Sequence, residues 1–428
     1  MMIHKRKNEV PGLGNIHLTG GTSLEGSVGI QGSKNAVLPM MAAALLHKGV
    51  TTLTNCPLIR DVFCMVDILR SLGGMVTWEE HTMHIDCSHL RRGKIPEEYA
   101  VRMRSSITCM GSLLARIGMC EMPYPGGCMI GQRPIDVHLD LFRHMGTQIV
   151  EREGVLYSVC GRCHGFTYKF PRRSVGATEN GVLAAVLCDG VTRLENCATE
   201  PEVGWMCRCI NSMGGKIEGI GSKILQITGV PGLHDTTFAV PPDRIVAGTY
   251  LCAGAISRGK VVLEPVIMEE MQAILAVYKK MGGQYEGKGG KLFTNSAHVH
   301  LAVPFLETAV YPGLPTDLQS PLLSVLSVAS GVSILRETVF ENRFLAAEQL
   351  QKMGACIRIY DREAKVTGKE TLTGCEVVAQ ELRGGAALVL AGLVASGETV
   401  IRNAEYIERG YEDICRDLGN LGARIHKE

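Results

Sequence analysis

One phrase recurs six times along this chain: an amphipathic helical pattern ending in Leu or Met, then Gly, then small or polar residues leading into an apolar one. The stops are Leu72-Gly73, Met145-Gly146, Met213-Gly214, Met281-Gly282, Met353-Gly354 and Leu421-Gly422, spaced 73, 68, 68, 72 and 68 residues apart. A second phrase alternates with it in register: an Ala/Leu-rich helix, a Gly stop and a β-like run, as in AAALLHKGVTTLTN, AAVLCDGVTRLEN, GAISRGKVVLE and GLVASGETVIRN. Its glycines, Gly49, Gly118, Gly190, Gly259, Gly331 and Gly397, are spaced 69, 72, 69, 72 and 66 residues apart. Glycine just past a helix suits the left-handed position there, and an alternating V-T-x-L run suits a half-buried strand. The chain is therefore read as six copies of one unit with two helices and several strands. The first helix of each unit (Ala42–Leu46, Ala184–Leu187, Ala387–Val394) is apolar nearly all round, which predicts that it is buried.

A solenoid of stacked repeats shares this period, but six units also divide into two sets of three, about 210 residues each, a usual domain size. Closure into two α/β domains is the expectation, with one domain at 33–241 and the other at 1–32 plus 242–428. The crossings fall near Gly32 and Pro241-Pro242, and the β-like segment before Gly32 is expected to complete the last unit's sheet. A cleft between such domains is the default small-molecule site. At 46% hydrophobic and 20% charged residues the chain has a core to build and is no disordered segment. Its 44 basic against 43 acidic residues leave no global field for nucleic acid or an anionic membrane, so any basic site is local. The longest apolar stretches, Ala36–Leu46 and Ala386–Ala395, fall short of the ~18 residues of a spanning helix. The opening MMIHKRKNEV has no apolar run after its charges, so no export signal is expected; the 16 cysteines are then expected reduced, in a cytoplasmic protein.

Two motifs are set aside. Cys160-Gly-Arg-Cys163-His164 matches a haem-attachment pattern, but it stands in one copy in a cysteine-rich chain and is read as coincidence, with no haem or metal. Gly282–Lys288 matches G-x4-G-K, yet Gly289 follows where a Ser or Thr would hold magnesium, so a hairpin turn is expected. The segment Pro123-Tyr-Pro-Gly-Gly-Cys128-Met-Ile-Gly-Gln-Arg133-Pro134 is different: a Pro/Gly-rich loop around one Cys, with an Arg five residues on that lowers the thiol's pKa if it lies near. An ordinary loop cysteine reads equally well. Loop-like phrases elsewhere set cations beside Gly, Asn or Asp: Lys34-Asn35, Arg104-Ser, Asn342-Arg343, Arg383-Gly384 and Arg409-Gly410. Singly these are surface ion-pair partners; converging from corresponding places in the repeats, they suit a small polyanion. Asp317, in the turn-like Pro315-Thr-Asp-Leu-Gln319, is the carboxylate singled out as a base.

Taken together, GSKNAVLPMMAAALL, MRSSI, PGGCMIGQRPIDVHL, SVGATEN, PPDRI, YPGLPTDLQ, ETVFENRF, LRGGAALVLAGL and ERGYE resemble, in order and over nearly the whole length, the UDP-N-acetylglucosamine 1-carboxyvinyltransferase family of enolpyruvyl transferases. The resemblance implies two inside-out α/β barrel-like domains, each of three βαβαββ-type units, with the active-site cleft between them. It implies transfer of the enolpyruvyl group of phosphoenolpyruvate to the 3'-hydroxyl of UDP-N-acetylglucosamine, with release of phosphate, as the first committed step of peptidoglycan synthesis. No cofactor, metal or obligate protein partner is implied.

The resemblance also assigns residues. Lys34, Arg133 and Arg409, with Arg104, Arg343 and Arg383 nearby, would hold the phosphate and carboxylate of phosphoenolpyruvate. Asp317 would be the general base and Cys128 the acid that protonates the methylene carbon, on a loop that closes over the substrates and that fosfomycin would alkylate. Asn35, Arg133, Pro134, Ile135, Asp136, Val137, Ser174, Val175, Gly176 and Asp317 would contact the nucleotide sugar, and Val339 and Glu381 would border the substrates. The chain departs from the family's usual pattern at Glu381 (usually Asp), Arg172, Gly204-Trp205, Arg336 and Ala346-Ala347. A different acceptor, or a non-catalytic paralogue that binds the nucleotide sugar, are the alternative readings.

Overall fold

The computed structural model describes residues 14–126, 131 and 134–428. Six helices form its two interiors: α1 (Lys34–Ala44), α2 (Thr108–Ile117), α3 (Val175–Ala185), α4 (Arg244–Ile256), α5 (Gln319–Ser327) and α6 (Leu382–Gly392). They are Ala-, Leu- and Val-rich, and α5 and α6 are buried at every residue. α4, α5 and α6 all contact one another, while α2 packs on both α1 and α3. The apolar-all-round reading of these segments holds.

Around each trio lie the sheets. In the fifth unit, Phe305–Glu307 runs parallel to Val332–Arg336, with α5 between them in sequence. The hairpin Cys356–Tyr360/Glu363–Thr367 then adds antiparallel strands. The strand order is first, second, fourth, third. Three sheets are completed from a distance. β1 (Ile16–Thr19) inserts between Glu398–Arg402 and Arg424–Lys427 of the sixth unit. β2 (Glu25–Gly29) pairs with Lys260–Glu264 of the fourth, and β3 (Thr236–Ala239) with Val50–Thr54 of the first. The segment before Gly32 thus completes the last unit's sheet, as expected, and supplies a strand to the fourth as well. In the second unit the leading strand shrinks to one bridge, Lys94 to Glu121.

All six glycines of the first phrase adopt positive φ, from 92° at Gly354 to 104° at Gly73. In the second phrase Gly118, Gly190, Gly331 and Gly397 do so, but Gly49 and Gly259 do not. At Gly259 the left-handed residue is Arg258, one place earlier, and a Cβ on Gly259 would collide with the Leu24 carbonyl. That glycine is required by close approach rather than by φ.

The buried apolar residues fall into two clusters, one from Ala36 to Val240 and one from Ile16 to Ile30 and from Ile245 to Leu421. The chain crosses between them twice, and the crossings pair. Gly32 bridges Pro242, Ser33 N–H donates to the Pro241 carbonyl at 2.8 Å, and Asp243 N–H to Gln31 at 2.9 Å. Lys288 and Lys291 flank a two-residue hairpin turn at Gly289-Gly290, so the G-x4-G-K phrase is a turn. Cys163 is joined to Cys188 in a disulfide, which corrects the reduced-thiol expectation for that pair and takes Cys163 out of the haem-like motif. No described helix is long and apolar enough to cross a membrane.

Candidate active site

The repeat has a geometric result: the N-terminal ends of all six inner helices reach one cavity of about 720 Å³ between the two cores. Lys34 and Asn35 come from α1, Thr108 from α2, Val175 and Gly176 from α3, Arg244 and Ile245 from α4, Asp317 from the turn before α5, and Leu382 and Arg383 from α6. Helix N-termini carry partial positive charge and unpaired N–H groups, so six of them favour an anion before any side chain is counted.

Two charge clusters sharpen that preference. In the first, Asp61, at the start of helix Arg60–Ser71, takes Lys34 Nζ at 2.9 Å and the Arg409 guanidinium in two bonds of 2.9 and 3.2 Å. Burial opposes ionisation of Asp61, but Lys34 and Arg409 prevail and hold its carboxyl below the usual range. Arg409 belongs to the other core's chain, so this carboxylate ties the two halves together.

In the second cluster, Asp317 lies in the 3-10 turn Thr316–Leu318. It accepts from Arg343 at 2.9 Å and, more loosely, from Arg383 and Asn35 at 3.5 Å each. Burial again opposes its charge, and Arg383, Arg343 and Lys34 overcome it, placing Asp317 well below the carboxylate range. Glu381 caps α6, accepting from the backbone N–H of Arg383 at 2.8 Å and from that of Gly384. Glu381 therefore does a capping residue's work. Arg343 and Arg383 are each 2% exposed, yet Arg343 Nε and Arg383 Nε and Nη1 have no hydrogen-bond partner among the described residues. Buried guanidinium donors left over in a cavity wall are suited to an anionic ligand.

The rest of the wall is more neutral. Ser174 caps α3 by accepting Ala177 N–H at 3.3 Å. Asp136 pairs with Arg172. A Cβ on Gly176 would stand 3.1 Å from the His138 ring, so the small residue keeps that surface open. Arg104, Pro134, Val137 and Val339 also line the cavity; Ile135 does not, being 4% exposed inside the adjacent core. Cys128 and Arg133 lie outside the described residues. Gly131, from the same loop, has φ +153°, and a Cβ there would strike the Glu341 carboxylate of the other half.

The family model described as EPSP synthase (3-phosphoshikimate 1-carboxyvinyltransferase) matches residues 18–418. A relative from Caldanaerobacter subterraneus subsp. tengcongensis, named UDP-N-acetylglucosamine 1-carboxyvinyltransferase 2, is 41% identical over 96% of this chain and 99% of its own. The chain belongs to the enolpyruvyl transferase family. A Symbiobacterium thermophilum relative, UDP-N-acetylglucosamine 1-carboxyvinyltransferase 1, is 42% identical over 96% of this enolpyruvyl transferase and 94% of its own length. The crystal structure of the enolpyruvyl transferase NikO from Streptomyces tendae superposes with a TM-score of 0.87 at 25% identity, covering 97% of this chain and 99% of that one. The expected two-domain, inside-out α/β architecture is thereby established for this enolpyruvyl transferase.

Sequence reasoning missed Asp61, whose partner Arg409 is 348 residues away. Its one signal was position: an acid in the first turn of the helix that follows the first β-run. It also left Glu179, Glu200 and Glu202 of the cavity wall without a role.

Proposed function

We propose that this chain transfers the enolpyruvyl group of phosphoenolpyruvate to the 3'-hydroxyl of UDP-N-acetylglucosamine, releasing phosphate, as the first committed step of peptidoglycan synthesis. The observation that carries the reading is the Asp317–Arg343–Arg383 cluster, a half-buried carboxylate beside leftover donors of two buried guanidinium groups at a ring of helix N-termini. The names of the relatives at about 40% identity over nearly the full length supply the acceptor. Under this reading 33–241 and 1–32 plus 242–428 are the two domains, in keeping with the two apolar cores. Both substrates are multiply charged and cross no bilayer unaided, so the reaction belongs in the cytoplasm.

The chemistry then distributes as follows. Lys34, Arg409, Arg343 and Arg383 take the phosphate and carboxylate of phosphoenolpyruvate, with Arg133 and Arg104 assisting. As that anion draws on the arginines, Asp317 loses part of the field that depresses its pKa, and its proton affinity rises where the sugar hydroxyl must be deprotonated. The hydroxyl oxygen bonds to C2, Cys128 protonates C3, and loss of a C3 proton with cleavage of the C2–O bond expels phosphate and restores the double bond. Asn35, Pro134, Asp136, Val137, Ser174, Val175, Gly176 and Val339 hold the nucleotide sugar, with Ile135 supporting them from the core.

The test is phosphate release from phosphoenolpyruvate with and without UDP-N-acetylglucosamine, for wild type and Asp317→Asn. Acceptor-dependent release that falls at least about 100-fold in the variant supports the reading. No release despite calorimetric binding of the nucleotide sugar would overturn it in favour of a non-catalytic paralogue.

A further inference from the structure

Glu179 stands apart from the machinery described so far. It lies on α3, one turn beyond Val175, in the wall of the same cavity, and is 6% exposed. Its carboxyl group has no hydrogen bond or ion pair among the described residues. The nearest charges are of its own sign: Glu202 and Glu200, on and before helix Pro201–Ser212. The cation here, Arg244, is already committed to Glu202 in two bonds of 2.9 and 3.2 Å. Glu200 accepts from Tyr311 N–H at 3.3 Å, and His138, on the helix Asp136–His144, is held by Asn180 at 2.8 Å. The buried thiol of Cys207, Arg208 beside it, and Glu270 and Asp243 near Arg244 make up the rest of the titratable surroundings.

A buried carboxyl with no protein partner, facing only a cavity, needs a partner from the cavity. With Glu202 and Glu200 as its nearest charges and Arg244 already paired, this part of the wall disfavours phosphate and carboxylate, which have the arginine cluster instead. We propose that Glu179 is a specificity-determining residue for the acceptor: its carboxyl group exchanges hydrogen bonds with an uncharged polar group, a hydroxyl or amide, of the sugar. This rests on the nucleotide-sugar reading above and adds the part of the ligand that Glu179 contacts. Burial first, then Glu202 and Glu200, push the Glu179 carboxyl up to about 8, so at neutral pH it has an O–H to donate as well as a carbonyl oxygen to accept.

The experiment measures KM for UDP-N-acetylglucosamine and for phosphoenolpyruvate, with calorimetric affinity for UDP-N-acetylglucosamine, between pH 6 and pH 9.5. The variants are Glu179→Gln, a neutral isostere, and Glu179→Leu. In wild type the KM and dissociation constant for UDP-N-acetylglucosamine are expected to rise about tenfold from pH 7 to pH 9 as the donor is lost. In Glu179→Gln that rise disappears, and in Glu179→Leu affinity is weak at every pH, while KM for phosphoenolpyruvate follows neither pattern. An unchanged pH profile in Glu179→Gln, or full affinity in a folded Glu179→Leu, overturns the proposal. Wild type that binds UDP-N-acetylglucosamine without turnover refutes the transfer reading but leaves the affinity measurements to decide on Glu179. Wild type that does not bind it refutes both.

Discussion

Asp61, buried, and Asp317, half-buried, are both carboxylates held by two cations, yet their neighbours point to different uses. Asp61 has its oxygens filled by Lys34 and Arg409, so it sets the position of two groups that an incoming anion must share. Asp61→Asn keeps the shape and removes the charge; KM for phosphoenolpyruvate is expected to change more than tenfold, read by steady-state kinetics, with KM for the acceptor nearly constant. Arg383→Lys removes a planar fork from the leftover-donor site and should lower kcat/KM for phosphoenolpyruvate by about 100-fold or more. Glu179 yields a stability prediction of definite sign. Its folded pKa, about 8, lies above its ordinary 4.5, so the native state holds the proton more tightly than the unfolded chain. The associated stability is fully present below about pH 4.5 and is lost as pH rises towards 8. Glu179→Gln should therefore melt a few degrees above wild type at pH 8.5 and close to it at pH 4.5, by calorimetry.

The repeat made the helices and their stops legible, because a residue at positive φ after each helix is a local demand that glycine meets. Gly354 isolates that demand: its φ is +92° and a Cβ would meet nothing within 4 Å. Gly354→Ala should cost about 1–2 kcal/mol in denaturant unfolding with KM unchanged, since backbone strain is its one penalty. The same local logic misled at Gly259, where contact with Leu24 from a distant strand decides the residue. Much of the site was legible as motif, because Lys34, Asn35, Arg104, Asp317 and Arg383 stand at helix starts that the repeat brings together. Ile135, which the resemblance assigns to the nucleotide sugar, sits in the adjacent core, because a helix entry turns one residue of the PIDV run inward. Asp61 and the Cys163–Cys188 pair were not legible, since each is defined by a contact between segments that carry no shared pattern.

At the scale of the molecule, one half is inserted into the other. The inner half draws its completing strand, β3, from its own end, whereas the outer half needs β1 and β2 from before the insertion. A fragment of residues 33–241 is expected to fold alone with a cooperative thermal transition by circular dichroism. A fragment of residues 242–428 should fail to do so unless a peptide of residues 1–32 is added, because it lacks the central strand of one sheet and the edge strand of another. The shared cavity then has a simple origin, since each half contributes three helix ends and only their apposition encloses it.

The pairing of β1 with Glu398–Arg402 and Arg424–Lys427 also fixes an order of events during synthesis. At roughly 5 to 20 residues per second, β1 emerges from the ribosome some 20 to 80 s before its partners exist. The inner half has everything it needs to fold once β3 is made, and β2 gains its partner at Lys260–Glu264 soon after, while β1 waits with unpaired backbone until the sixth unit follows. The nascent chain is thus most open to capture by a chaperone, or by another copy of itself, at its beginning, and becomes secure when its last strand is made.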